Sequence, residues 1–219
     1  MHNVTVAFAA LLVMLLSYFF GCFNGSFMVS HFIILDDVRK HGSGNAGLTN
    51  FYRTYGAKYA LLVIACDMGK TVAACLLGSF FFRCLGWDGT LGTLLAGLGC
   101  ELGHIFPVFY GFRGGKGILS GGTLVLLLNW RVAAVAWALF LLLWLTTRYV
   151  SLASITATCS APITVYFVYA HNPIYTGLCL AVAALALWCH RKNIQRLLHG
   201  TEKKFKWHVN PTEGKEPPK

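Results

Sequence analysis

Seven apolar runs separated by short polar stretches set the pattern of this chain. They fall near residues 4–23, 57–82, 90–110, 118–129, 132–147, 152–170 and 174–190. Windows of about 20 apolar residues have the length of a helix that crosses a bilayer. The pattern predicts an all-α, polytopic membrane helical bundle of about seven spans, with residues 1–202 as one domain. The run at 118–129 is short and rich in glycine at its start, so it reads as a half-span or as a span tilted against its neighbours. Five spans, with the weaker runs re-entrant, is the alternative. The apolar stretch from Val4 to Phe23 has no Lys or Arg before it and no small-residue cleavage site after it, which predicts a retained span and not a signal peptide.

Composition narrows the class. Of 219 residues, 56% are hydrophobic and 12% charged, whereas a soluble domain is about a quarter charged. The mean hydropathy is +0.60. These values describe an integral membrane protein. The formal net charge of +10 then reads as positive-inside loops and contact with anionic lipid, not as nucleic-acid binding. The eight cysteines form no C-x-x-C pair and sit mostly in apolar runs. They are expected to be buried free thiols, and neither zinc nor a disulfide is expected.

Charge distribution sets orientation. With the N-terminus outside and seven spans, all of the 18 Lys and Arg except Lys70, Arg83 and Arg131 fall in inside segments or in the tail. The C-terminus is then cytoplasmic. Residues 203–219, a Lys-rich stretch followed by a Pro/Glu/Lys tail, are expected to lack fixed structure.

This orientation gathers three polar segments on one face. The first is Gly42-Ser43-Gly44-Asn45-Ala46-Gly47-Leu48-Thr49-Asn50. Its glycines let backbone N–H groups turn inward as an anion nest, Ser43 adds a hydroxyl, Asn45 and Asn50 add amides, and Arg53 can clamp phosphate oxygens in a fork. The second is Gly103-His104-Ile105-Phe106-Pro107 with Phe112-Arg113-Gly114-Gly115-Lys116-Gly117. A lysine among three glycines can approach a phosphate as an unhindered point charge. The third runs from His190 to Arg196, with His190 and Asn193 one helical turn apart. Each segment also has a bland reading as a polar turn, a positive-inside lysine or an interfacial His and Asn among headgroups. Asp67 and Lys70, within the second run, are either a neutralising pair that shapes the bundle or a functional pair.

Two motif matches fail. Gly115-Lys116 has Tyr110 where a phosphate-binding P-loop needs glycine, and Gly69-Lys70-Thr71 has Ile64 there, so no ATP site follows. His31 and Asp36 match His-x-x-x-x-Asp, a signature known from glycerolipid acyltransferases, but positions five apart do not share a helix face, so the match is read as accidental.

Together the segments closely resemble the bacterial membrane glycerol-3-phosphate acyltransferases that use acyl phosphate as donor. The likeness rests on Gly25-Ser26, on Asp37-Val38-Arg39-Lys40-His41-Gly42 through Asn50, on Gly103 to Pro107 with Phe112 to Gly117, and on His190 to Glu202. It runs in order from about Phe23 to Glu202. Departures are small: Thr71 stands where a glycine often follows the second-run lysine, and the tail is longer.

The resemblance implies a seven-span enzyme of the bacterial inner membrane with a cytoplasm-facing site. It implies acyl transfer from acyl phosphate to the 1-hydroxyl of glycerol-3-phosphate, giving lysophosphatidic acid, with no metal, no cofactor and no acyl-CoA or acyl-carrier-protein donor. Ser43, Arg53 and Lys116 match the family's phosphate-contacting positions, and His190, Asn193 and Ser151 match its other polar site positions. The candidate catalytic groups are His190, Asn193 and Lys116. The candidate substrate-binding positions are Ser43, Gly44, Asn45, Thr49, Asn50, Arg53, His104, Gly114, Gly115, Gly117, Ser151 and Arg196. His190 or a substrate phosphate oxygen would accept the hydroxyl proton, the latter being preferred. A transporter of a small organic phosphate would also explain a basic pocket among spans, and a structural lipid-binding protein is a third reading.

Overall fold

In the computed structural model, which describes residues 2–207, the apolar runs form helices at the expected places. Helix α1 spans His2–Cys22, α2 Gly25–Met28, α3 Leu48–Tyr55, α4 Ala60–Cys84 and α5 Gly89–Ile105. Helix α6 spans Ile118–Leu128, α7 Trp130–Thr147, α8 Val150–Val168, α9 Pro173–Cys189 and α10 Arg191–Leu198. No strand occurs among the described residues.

Helix starts are written in the sequence. Asp88, Asn129 and Asn172 cap α5, α7 and α9 by accepting from the backbone N–H two residues on, and Pro173 follows Asn172 as the first residue of α9. Among the described residues, five helical stretches are long and apolar enough to cross a membrane, six if α9 and α10, bent by 60°, count as one. Helix α6 has 11 residues, below the length of a span. The expected run at 90–110 is present as one candidate span, Gly89–Tyr110, whose α-helical part α5 ends at Ile105, before Phe106-Pro107, and continues as a 3-10 turn at Val108–Tyr110. Proline lacks the N–H to continue the ladder and pushes its predecessor out of the helical region.

Helix α5 is the hub. Of its apolar window 78% is buried, against 17% for α7, and glycines explain how neighbours come so close. A Cβ on Gly99 or Gly103 would collide with the Met14 or Tyr18 carbonyl oxygen of α1, and one on Gly92 with the Gly78 carbonyl of α4. In lipid there is no hydrophobic drive between helices, so small residues that permit backbone contact hold them together. Gly103→Val is therefore expected to lower the unfolding temperature of the detergent-solubilised protein by several degrees, since overpacking costs about 1–3 kcal/mol.

A buried ionic knot ties the same elements. Asp67 Oδ1 lies 2.8 Å from Lys70 Nζ and accepts from the Gly25 amide at 3.0 Å. Lys70 Nζ also donates to the Gly21 carbonyl at 3.1 Å and to His104 Nδ1 at 2.7 Å. One cation thus joins the end of α1 to α4 and α5. The sequence pairing of Asp67 with Lys70 is present, and His104 is the third member that spacing did not reveal.

The tail expected to be unstructured from 203 differs from that expectation over its first residues. Phe205 and Trp207 pack on Trp144, with Phe205 also stacked on Tyr52. The Phe205 amide donates to the Arg148 carbonyl, and Tyr52 Oη donates to the Trp207 carbonyl. Two large aromatic rings among the lysines bring this strap onto the body. The rest of the expected tail, 208–219, lies outside the described residues.

Candidate functional site

The three polar segments converge. The first is a closed turn that runs into a helix. Gly42 and Gly44 have φ of +57° and +70°, a left-handed region that glycine enters freely. Asn50 closes the ring: its Oδ1 accepts from the Ser43 amide at 2.9 Å, and its Nδ2 donates to the Val38 and His41 carbonyls at 3.1 Å each. Its amide is thus spent on the loop itself, and Ser43 is left exposed at the tip. Leu48, Thr49 and Asn50 already belong to α3, which carries Arg53 on its next turn.

The second segment folds back on the end of α5. The Gly114 amide donates to the Ile105 carbonyl and the Gly115 amide to the His104 carbonyl, at 3.1 and 3.0 Å. A Cβ on Gly115 would collide with His104 Nε2, so only glycine permits this closure. The two segments meet directly where the Ala46 amide donates to the Gly114 carbonyl at 3.3 Å. Gly117, at φ +78°, starts α6 and leaves Lys116 pointing toward the third segment.

The third segment bends at His190, between α9 and α10. His190 Nδ1 bonds to the Ala186 carbonyl at 2.7 Å, which assigns its proton there and leaves Nε2 as the acceptor nitrogen. Lys116 Nζ donates to Asn193 Oδ1. Asn193 Nδ2 donates to Glu202 Oε1 at 2.7 Å, as does Ser151 Oγ, and Arg196 Nε donates to Glu202 Oε2 at 2.7 Å. One carboxylate therefore gathers groups from α8 and α10 and connects them, through Asn193, to Lys116. Arg53 reaches the same corner and donates to the Lys203 carbonyl at 3.1 Å.

All fifteen sequence-proposed positions line one cavity of about 790 Å³. Its polar end carries Lys116, Arg53, Arg196 and Asn193. Its apolar end is walled by Leu124, Val125, Trp137, Phe140, Val182 and Ala183 from α6, α7 and α9. Glu202, quoted in the third motif but not singled out, proves to be the organiser of that corner. Glu101 and Asp67 also line the cavity; a carboxyl inside an apolar run was the available signal for Glu101.

Electrostatics follow from this enclosure. Burial pulls the Lys116 ammonium from 10.5 down to about 8, with Glu202 working upward and Arg196 and Arg53 working further downward. Burial pushes Glu202 up, but hydrogen bonds from Ser151, Asn193 and Arg196 outweigh it and keep the carboxylate below its usual range, so it is ionised at neutral pH. Lys116 is charged below about pH 7 and loses its proton as pH rises through 8. If it holds a phosphate, the KM for that substrate should rise about tenfold between about pH 7 and 9. Lys116→Arg, which stays charged, should flatten that rise. Initial rates against pH check both.

The arrangement suits a reactant with an anionic head and an apolar tail. Comparison with known proteins agrees. Residues 11–200 match the model of the family described as glycerol-3-phosphate acyltransferase. The glycerol-3-phosphate acyltransferase of Finegoldia magna is 39% identical over 189 residues, covering 86% of this chain and 92% of its own. That of Thermoanaerobacter pseudethanolicus is 36% identical over 196 residues, covering 90% and 96%. Crystal structures of PlsY (YgiH), an integral membrane glycerol 3-phosphate acyltransferase, superpose in two forms. The glycerol 3-phosphate form gives a TM-score of 0.79 at 36% identity, and the lysophosphatidic acid form 0.77 at 34%; each match covers 90% of this chain and 96% of that one. Sequence, fold and cavity agree that this chain belongs to the glycerol-3-phosphate acyltransferase family of integral membrane enzymes.

Proposed function

We propose that the enzyme transfers a fatty acyl chain from acyl phosphate to the 1-hydroxyl of glycerol-3-phosphate and releases lysophosphatidic acid and inorganic phosphate. The observation that carries this reading is a single cavity with a cationic end built from three loops and an apolar end built from α6, α7 and α9. The relative known in a lysophosphatidic acid form supports the same product here.

Acyl phosphate is a mixed anhydride with phosphate as leaving group, so direct attack needs no covalent enzyme intermediate. The hydroxyl oxygen bonds to the acyl carbon, the carbon–oxygen bond to phosphate breaks, and phosphate leaves with the electron pair. The hydroxyl proton passes to a phosphate oxygen or to His190 Nε2. Two anionic reactants must lie side by side, and Lys116, Arg53 and Arg196 offset their repulsion. Ser43 adds a hydroxyl donor, while Ser151 spends its proton on Glu202; the amides of Gly44, Gly114 and Gly115 are spent on the His41, Ile105 and His104 carbonyls, so these glycines shape the loops around the reactants. Asn193 cannot move a proton; it positions Lys116, and Glu202 fixes Asn193. Asn45 and Thr49 lie on the cavity wall beside the first loop, and Asn50 and His104 hold loops in place. We place the site on the cytoplasmic side of the bacterial inner membrane, because the lysines and arginines concentrate at the loops that form it.

The test is a purified assay with palmitoyl phosphate and glycerol-3-phosphate, without metal or acyl-CoA. Lysophosphatidic acid and phosphate in equal amounts are expected. Well-folded protein that makes no product from palmitoyl phosphate, yet does so from acyl-CoA, would overturn the donor. The family assignment sets transport aside as the primary reading.

A further inference from the structure

Three carboxyl groups line the cavity among the described residues, and two of them are engaged. Asp67 is held by Lys70 and the Gly25 amide. Glu202 is held by Ser151, Asn193 and Arg196. The third, Glu101 on α5, is 2% exposed, and its Oε2 has no hydrogen-bond partner among the described residues. Leaving a buried polar atom unpaired is costly, and native structures rarely do so without a reason.

The surroundings of Glu101 are built for it. A Cβ on Gly117 would collide with its carboxyl group, and a Cβ on Gly121 would come to 3.5 Å from Oε1. Gly117, the neighbour of Lys116 in the chain, therefore clears space for this carboxyl, while a side chain at Gly121 would meet it only in ordinary contact. An apolar side chain would suit a purely structural position on a membrane helix better than an acid with nothing to bind.

We propose that Glu101 contacts the glycerol part of the acceptor and takes the hydroxyl on C2, the one that is not acylated. A hydroxyl both donates and accepts, so it satisfies the carboxyl group with or without its proton. The C2 oxygen is closer along the substrate to the phosphate than the C1 oxygen. We choose this hydroxyl because Gly117, whose missing Cβ makes room for the Glu101 carboxyl, directly follows Lys116 in the chain, and of the two hydroxyls the C2 one stays nearer a phosphate held by Lys116. A site that pairs a substrate hydroxyl rejects an analogue lacking it, because the protein group is then left buried and unpaired. Glu101 is thus a specificity-determining contact. The inference rests on glycerol-3-phosphate as acceptor with its phosphate at Lys116; it does not depend on the acyl donor.

The experiment compares binding of glycerol-3-phosphate and 3-hydroxypropyl phosphate, which lacks only the C2 hydroxyl. Calorimetry on the purified full-length protein in detergent, with no acyl donor, gives both affinities. Wild type should prefer glycerol-3-phosphate by about tenfold. Glu101→Leu and Glu101→Ala should bring the two affinities within about twofold while still binding 3-hydroxypropyl phosphate. Glu101→Gln, which keeps a donor and an acceptor, should retain most of the preference. The ratio is internal, so a partly folded preparation scales both ligands alike. A tenfold preference that survives in the Leu or Ala variant would overturn the proposal, as would a wild type that binds both ligands equally. A wild type that binds neither would overturn the phosphate cradle itself, and this proposal with it.

Discussion

Replacing Lys116 with alanine is expected to lower kcat/KM for glycerol-3-phosphate by at least about 100-fold, the scale on which loss of one preorganised charged donor acts. The reason lies in its surroundings. Lys116 links the Gly-rich loop to the third segment, through Asn193. It sits partly buried, where a charge acts through a lower effective dielectric than in water. Arg53 and Arg196 already spend part of their donors on the Lys203 carbonyl and on Glu202. Neither can take over the position, because Arg53 comes from α3 and Arg196 from α10. Folding should be little affected, since removing a half-buried ammonium also removes its desolvation cost. A fully active, folded Lys116→Ala protein would take Lys116 out of the site. Asn193→Ala should show a smaller loss in the same assay, because it positions the lysine and does not carry the charge.

Lys70→Met should be the most damaging change to stability, by about 3–5 kcal/mol. It would leave Asp67 buried, with its nearest cation gone, and it would remove the donors to the Gly21 carbonyl and His104 Nδ1. Breaking one half of a buried pair costs more than replacing both halves. The double variant Asp67→Asn/Lys70→Met removes the stranded charge and keeps an acceptor for the Gly25 amide. It should recover about half of the loss. Thermal unfolding in detergent measures both, and equal destabilisation of the single and double variants would show that the ion pair is not what holds α1, α4 and α5 together.

Much of this protein could be read from its residues, and the limits have physical causes. The apolar runs gave the helices because bilayer length and helix rise are fixed quantities. Charge placement predicts the three loops on one side, and in the fold all three line one cavity. Spacing along one chain does not report what meets across it, so His104 joining Asp67 and Lys70 stayed hidden. Glu202 looked like the polar end of a motif, and only the fold shows it holding Ser151, Asn193 and Arg196 at once. The tail looked unstructured because its lysines dominate the composition. Two aromatic rings, Phe205 and Trp207, decide otherwise by finding Trp144 and Tyr52. Asn50 lines the cavity as a candidate substrate donor, and only the fold shows that both Nδ2 protons and Oδ1 also close the turn.

The central claim is that loops distant in sequence form one cationic cradle that grips the phosphate of glycerol-3-phosphate. A crystal structure of this protein with glycerol-3-phosphate bound tests it directly. The account predicts a phosphate oxygen within about 3 Å of Lys116 Nζ, with a guanidinium of Arg53 or Arg196 on the same phosphate and the glycerol pointing toward Glu101. A phosphate bound away from Lys116, with the three loops contributing nothing to it, would contradict the account.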